Sequence, residues 1–179
     1  MDRFSQLSDT VHNAFEIRNQ ARDKALMQTR KVIQHAAHAI RAIHRMDVDQ
    51  ADGFLEDARS LVEQLRKDLG DHPDLFYAGY TQDALKEYVE ACVTCALIRG
   101  QELPLPEEIE VEPAVYLNGL AEGGGELRRR CLDVMRQGYS PEVERLLALM
   151  DEIYALLITV DYPDALTNGL RRQTDLARG

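Results

Sequence analysis

The chain has 179 residues, of which 45% are hydrophobic and 29% are charged, as in an ordinary globular domain. No apolar run approaches the ~20 residues needed to span a bilayer. The polar, acidic N-terminus lacks the basic and apolar regions of a secretory signal. Three cysteines, an odd and low number, argue against a disulfide framework. These features predict one domain over residues 1–179, a cytoplasmic location and no membrane partner.

The net charge of −10 is unevenly distributed along the chain. Residues 10–46 contain seven basic and two acidic side chains, a net charge of +5, which leaves −15 for the remainder. Such asymmetry predicts a local basic face on an acidic protein, so the total charge does not exclude a nucleic-acid partner. The seven basic residues are Arg18, Arg22, Lys24, Arg30, Lys31, Arg41 and Arg45.

An all-helical fold is predicted, because β-branched alternation is absent and Gly and Pro cluster at a few places. The first helix is predicted from about Ser8 to Met46, where apolar residues recur at spacings of three, four and seven. At 1.5 Å per residue it would span about 55 Å, which is too long for the core of one small domain. We therefore expect part of it to support neighbouring chains or to line a surface.

Five further helices follow in the prediction, separated by Gly and Pro signals. They run from about Val48 to Leu69, from Pro73 to Arg99, from Ala114 to Gln137, from the Ser140-Pro141 cap to Val160, and from the turn at 161–164 to the C-terminus. The stretch Glu102–Pro113, with three Pro, is predicted to be a loop within the domain.

Two pairs of glutamates have the spacing of neighbours on a helix face. Glu87 and Glu90 are three apart in the third helix, and Glu122 and Glu126 are four apart in the fourth. Each pair has a plain interpretation as solvated surface Glu. The alternative is that the two pairs face each other and hold a divalent cation, since close like charges repel without one and Mg²⁺ or Mn²⁺ prefers oxygen ligands.

Three consecutive glycines separate the second pair of glutamates. Glycine inside a helix costs up to ~1 kcal/mol relative to Ala, a cost more easily accepted where a backbone or ligand approaches closely. Cys92 and Cys95 are predicted to be small packing residues. His35, His38 and His44 are interpreted as surface or RNA-facing groups rather than ligands, because no Glu lies three residues before any His.

Four segments together resemble the translin superfamily, in the same order along essentially the whole chain. Tyr116-Leu-Asn-Gly-Leu-Ala-Glu122-Gly-Gly-Gly-Glu126-Leu-Arg is similar to that family's Gly-Glu motif. Leu85-Lys-Glu87-Tyr-Val-Glu90-Ala is similar to the catalytic-helix motif of translin-associated factor X (TRAX). The basic first helix, with Ala-Ile-Arg-Ala-Ile-His at 39–44, and the segment 162–172 resemble the family's first helix and closing segment.

The resemblance implies a translin-like all-α bundle of about six to seven helices in an oligomeric, octameric shell. It also implies a magnesium- or manganese-dependent endoribonuclease that cuts RNA, preferably single-stranded. In this implied assignment Glu87, Glu90, Glu122 and Glu126 are both catalytic and metal-binding. Glu122 replaces the family's aspartate, and because translin lacks the third-helix carboxylates the chain resembles the TRAX branch.

The implied partners are RNA and further copies of the chain, with a translin-type subunit as an alternative. RNA-binding falls on the seven basic residues of the first helix, with Arg18 and Arg22, one turn apart, as the main candidates. Two other functions stay open at this point. One is an RNA- or DNA-binding shell without catalysis, and the other is an all-α nucleotide pyrophosphohydrolase that uses Glu-x-x-Glu on one helix.

Overall fold

The computed structural model describes residues 2–177, which form eight helices and no strand. The all-α prediction and the long N-terminal helix are therefore confirmed. The helices are α1 (Arg3–His44), α2 (Val48–Asp68), α3 (Pro73–Phe76), α4 (Gly79–Ile98), α5 (Pro113–Met135), α6 (Pro141–Leu157), α7 (Asp164–Thr167) and α8 (Leu170–Ala177).

The predicted third helix is divided into α3 and α4, a difference that two side chains explain. Thr81 Oγ1 donates to the carbonyl of Leu75 at 2.8 Å, and Gln82 Nε2 donates to that of Phe76 at 2.8 Å. These bonds satisfy carbonyls at the end of α3 and compete with continuation of the helix. Ala78 between them is extended, with φ −66° and ψ 146°.

The last predicted helix is also divided, at Asn168 and Gly169. Both residues have positive φ, 52° and 77°, a conformation that favours Asn and Gly and ends a helix. The buried Asn118 side chain donates to the carbonyl of Thr167 at 2.9 Å, so the last carbonyl of α7 is satisfied by α5. These two breaks turn six predicted helices into eight.

Only the C-terminal half of α1 lies in the core. Residues 3–20 are exposed throughout, and burial begins near Ala25 and continues to Ile43. The 42-residue helix spans about 63 Å, so about 27 Å of it projects beyond its own bundle. The expectation that α1 is too long for the core of one small domain is confirmed.

The helices pack in the spatial order α2, α1, α4, α5, with α6 and α8 against the far side of α5. One continuous apolar core runs through all of these helices and contains Ile43, Val89, Leu120 and Leu146 at its centre. In the part of the chain that the structure describes, no helix is long and apolar enough to cross a membrane. The arrangement places α4 between α1 and α5, where it can carry a partly enclosed site.

Candidate carboxylate centre

Helix α4 holds two glutamates half-buried because most of its surface packs against other helices. Ala84, Leu85, Tyr88, Val89 and Ala91 are buried. Glu87 and Glu90 occupy the remaining face, which looks toward α5, and both are half-buried. Their partial enclosure therefore follows from the apolar sequence around them.

Two glycines of α5 allow that helix to approach α4 very closely. A Cβ atom on Gly119 would lie 2.6 Å from Cβ of Val89 and 2.8 Å from the carbonyl oxygen of Lys86. One turn later, a Cβ on Gly123 would lie 3.1 Å from Cγ1 of Val93. Real Cβ atoms do not approach neighbours at 2.6 Å, so Gly119 is required for this helix contact.

The close contact brings Glu122 of α5 to the two glutamates of α4. One carboxylate oxygen from each of Glu87, Glu90 and Glu122 lies within 4.8 Å of the other two. We call these three side chains the carboxylate trio. Of the glycines predicted to serve a close approach, Gly123 does so, whereas Gly125 has open space where a Cβ would lie.

Two side chains hold the Glu122 carboxylate in place. Lys86 Nζ lies 2.7 Å from Glu122 Oε1 and 3.8 Å from Glu87 Oε1. From the C-terminal helix α8, Gln173 Nε2 donates to the same Glu122 oxygen at 2.8 Å. The trio is thus connected to the end of the chain as well as to its own two helices.

Glu126, the fourth predicted ligand, lies one turn beyond Glu122 and has different partners. Its Oε2 lies 2.5 Å from Nε2 of His44 and 3.3 Å from a guanidinium nitrogen of Arg129. Glu126 is not a member of the carboxylate trio. The four predicted carboxylates are therefore neighbours arranged as a trio with Glu126 at its edge.

The environment changes the acidities of these carboxyl groups in opposite directions. Burial raises the pKa of Glu90 to about 8, with further contributions from the negative charges of Glu87, Glu122 and Glu126. Burial also raises the pKa of Glu87, although Lys86 opposes the shift. The hydrogen bond from His44 lowers the pKa of Glu126 despite partial burial. The ionised form is thus disfavoured at Glu87 and Glu90 and favoured at Glu126, at the edge of the trio.

No protein-family model matches this chain. The chain is 30% identical over 182 residues to an uncharacterized protein of Methanocaldococcus jannaschii. The aligned region covers all of this chain and 78% of that relative. The crystal structure of AfC3PO matches with 32% identity and a TM-score of 0.84, covering 99% of this chain and 90% of that one. The structure of AfC3PO with duplex RNA matches at 33% identity, with the same TM-score and coverage.

AfC3PO is a protein of the C3PO/translin family. The chain belongs to the translin superfamily. The crystal structure of apo-NeC3PO also matches, with a TM-score of 0.86 over 95% of this chain and 89% of that one, and its 20% identity supports the shared fold. The resemblance inferred from the sequence motifs is confirmed at the level of the superfamily.

The basic residues predicted to bind RNA run from Arg18, inside the translin-like helix α1, to Arg45, which caps its C-terminus. Arg18 pairs with Asp74, Arg22 lies 3.3 Å from Asp23, and Lys24 Nζ lies 2.7 Å from Asp68 Oδ2. The other four are exposed and have no ion-pair partner within residues 2–177. These four are Arg30, Lys31, Arg41 and Arg45.

Distance along α1 separates these basic residues into two groups. Arg18 precedes His44 by 26 positions, which is about 39 Å of helix, so it cannot reach the carboxylate centre of its own chain. Arg41 lies one turn before His44 and Arg45 follows it directly. Within one chain, the structure therefore places Arg41 and Arg45 nearer to the centre than Arg18 and Arg22.

The interpretation of the histidines of α1 as surface groups is wrong for His44. Its side chain is only 6% exposed because it packs between α1 and α5 against Glu126. His35 and His38 are half-buried against the ring of Phe54, with His38 at a centroid distance of 4.9 Å. The interpretation failed because helical periodicity does not identify which face of a long helix a later segment will cover.

Four residues that contribute to the centre were missed in the sequence. Lys86 precedes Glu87 and resembles an ordinary surface lysine, and Gln173 and His44 are 51 and 82 positions from their carboxylate partners. Gly119, four residues before Gly123, has the small-residue spacing of a close helix contact. Only this last feature could have been recognised from the sequence.

The three cysteines are free, in agreement with the prediction that the chain has no disulfide framework.

Proposed function

We propose that this translin-superfamily protein is a TRAX-like endoribonuclease that uses Mg²⁺ or Mn²⁺ to hydrolyse phosphodiester bonds of single-stranded RNA. The observation that supports this function best is the carboxylate trio, three half-buried side chains from two helices with oxygens within 4.8 Å of one another. Of the four glutamates, Glu87, Glu90 and Glu122 are the proposed metal-binding residues, and Glu126 at the edge of the trio is the proposed catalytic proton acceptor.

The chemistry of the trio fits a hard divalent cation. All of its ligand atoms are carboxylate oxygens, which Mg²⁺ and Mn²⁺ prefer, and histidine or thiolate ligands are not among them. The raised pKa of Glu90, caused by burial and by the neighbouring carboxylates, indicates that the full negative charge needs compensation. Glu87, Glu90 and Glu122 would hold the cation.

A cation bound there supplies Lewis-acid polarisation of a phosphate oxygen and acidification of a water molecule. The chain supplies a proton acceptor beside it. Both His44 and Arg129 contact Oε2 of Glu126, which leaves Oε1 available to a water. His44 fixes the orientation of this carboxylate, and Glu126 Oε1 accepts the proton of the attacking water.

RNA binding is proposed for the exposed cations of α1. Lys and Arg contacts to phosphates are independent of sequence and weaken with salt. AfC3PO, which shares the fold at 33% identity, has a structure in complex with duplex RNA. We propose that Arg30, Lys31, Arg41 and Arg45 bind the strand that reaches the centre of the same chain. Arg18, Arg22 and Lys24 bind RNA from the segment of α1 that lies beside α2 and α3.

The projecting part of α1 also supports the proposed assembly into a homo-octameric shell. Phe4, Leu7, Val11 and Phe15 lie on one face of it and are 40% to 79% exposed. A second copy of the chain would bury this apolar face. We propose that residues 1–179 form one translin-like domain that assembles in this way in the cytoplasm, alone or with a translin-type subunit.

The test combines light scattering with an RNA cleavage assay. The purified chain should elute as a particle of eight 20.3 kDa subunits and cut end-labelled single-stranded RNA with Mg²⁺ or Mn²⁺ but not with EDTA. Glu90→Gln should lower the rate at least about 100-fold. Glu152→Gln, an exposed change on α6, is the matched control. RNA binding in EDTA without metal-dependent cleavage would identify a non-catalytic shell instead.

A further inference from the structure

Lys86 provides the positive charge nearest to the carboxylate trio. Its ammonium contacts Glu122 at 2.7 Å and Glu87 at 3.8 Å, which are two of the three side chains that would hold a divalent cation. Glu90, the third, has no cationic partner among residues 2–177. The ammonium therefore compensates the same charge that a bound metal would compensate.

The position of Lys86 on the helix determines which of its atoms can move. Its carbonyl oxygen faces Gly119 across the close contact between α4 and α5, so the backbone is fixed between two helices. The side chain is half-buried and has four flexible methylene groups. The ammonium can leave Glu122 by rotation of the side chain while the helix stays in place.

We propose that Lys86 is a built-in counter-ion of the trio that a divalent cation displaces from Glu122, and that the released ammonium then binds a phosphate of the RNA. This inference rests on the proposed metal-dependent function. A cation bound to the trio would lie beside Lys86 Nζ, and repulsion between the two positive charges would drive the ammonium away from Glu122. Once the cation compensates Glu122 and Glu87, the ammonium is released from both carboxylates and can bind a phosphate of the RNA backbone.

The proposal has two measurable consequences. Removing the ammonium should strengthen metal binding, because the cation no longer competes with it for Glu87 and Glu122. Removing it should also weaken productive RNA binding, because one phosphate contact is lost. A lysine with only a structural role would not move these two quantities in opposite directions.

The experiment measures Mn²⁺ affinity by isothermal titration calorimetry, and KM and kcat for labelled single-stranded RNA, on the full chain. Lys86→Met should bind Mn²⁺ about tenfold more tightly than the wild type and should raise KM about threefold or more. Lys67→Met, an exposed change on α2, should alter neither quantity. Lys86→Arg keeps the charge and should leave Mn²⁺ affinity near the wild-type value, and circular dichroism checks the fold of each variant.

Each outcome separates this inference from the proposed function. Equal Mn²⁺ affinity in the wild type and in Lys86→Met, with binding lost in Glu90→Gln, would overturn the counter-ion role and leave the metal centre standing. Tighter Mn²⁺ binding with an unchanged KM would overturn the phosphate contact. If neither the wild type nor Lys86→Met binds Mn²⁺, the metal centre is wrong, and the role of Lys86 falls with it. If Lys86→Met does not fold, Lys86→Gln serves for the same comparison.

Discussion

The imidazole of His44, at the last position of α1, lies 2.5 Å from the carboxylate of Glu126 in α5, although 82 positions separate the two residues. The side chain of His44 is 6% exposed and that of Glu126 is 22% exposed. This contact joins the end of the longest helix to the edge of the carboxylate trio. It also explains the lowered pKa of Glu126, whose largest cause is the hydrogen bond with His44.

Replacing His44 should lower the stability of the folded protein. His44→Ala leaves the partly buried carboxylate of Glu126 without its closest partner, which should lower the free energy of unfolding by about 1–3 kcal/mol. Urea denaturation at neutral pH measures this change. His12→Ala, on the exposed part of α1, should stay within about 0.5 kcal/mol of the wild type. Equal losses in the two variants would contradict a stabilising role of the contact.

The pH dependence of that loss has a definite sign. Because the folded-state pKa of Glu126 is lowered, its contribution is present above the ordinary carboxyl pKa and is lost as the pH falls through the lowered value. The difference in stability between wild type and His44→Ala should therefore be largest near neutral pH and should shrink in acid. A difference that grows in acid would show that Glu126 is not the group involved.

Glu90 should make the metal-free protein less stable as the pH rises. Its pKa is raised to about 8 by burial and by nearby carboxylates, so between its ordinary pKa and about 8 the folded state holds a proton that the unfolded state releases. In this window the free energy of unfolding should fall with pH, by at most about 1.4 kcal/mol per pH unit. Urea denaturation in EDTA at several pH values measures the slope.

The variant Glu90→Gln is the control for this pH dependence. It keeps the shape of the side chain and removes the titrating group. The free energy of unfolding in EDTA should therefore fall less steeply with pH, and the variant should become more stable relative to the wild type toward pH 8. Mg²⁺ should restore stability to the wild type at that pH more than to the variant. Identical slopes in the two proteins would contradict the raised pKa of Glu90.

The glycines of α5 offer a matched pair of substitutions. A Cβ on Gly119 would meet Val89 at 2.6 Å, whereas one on Gly125 would meet nothing within 4 Å. Gly119→Ala should destabilise the protein by about 1–3 kcal/mol because α4 and α5 must separate, which should also weaken metal binding by the trio. Gly125→Ala should be neutral or stabilising by up to about 1 kcal/mol. Thermal denaturation distinguishes the two, and equal effects would contradict the close contact.

Arg41 and Arg45 should contribute to RNA affinity through phosphate contacts. Replacing both by Ala should weaken binding of single-stranded RNA to a similar degree for different sequences and reduce the slope of log K against log salt by about 1.4, or 0.7 per contact. Fluorescence anisotropy over a range of salt concentrations measures the slope. Arg59→Ala, on the exposed face of α2, is the control and should leave the slope unchanged.

The helical content and the motif residues follow from local features of the chain. Periodic apolar positions predict the helices, Pro113 and Pro141 begin α5 and α6, and Gly138 follows the end of α5 with a φ of 117°. Such signals act over a few residues and can be identified in one sequence. The breaks at Ala78 and Asn168 were missed because they depend on hydrogen bonds from Thr81, Gln82 and Asn118.

The sequence alone determined that the chain is helical, that its positive charge is concentrated in α1, and that its acidic pairs lie on helix faces, because each of these properties depends on spacing within one helix. Only the tertiary structure decided that Glu122 joins Glu87 and Glu90 while Glu126 turns to His44. That division depends on how closely α5 approaches α4 and on where α1 ends. Contacts between residues far apart in the chain set both distances. The spacing of Gly119 and Gly123 indicates a close helix contact but does not identify the helix that makes it.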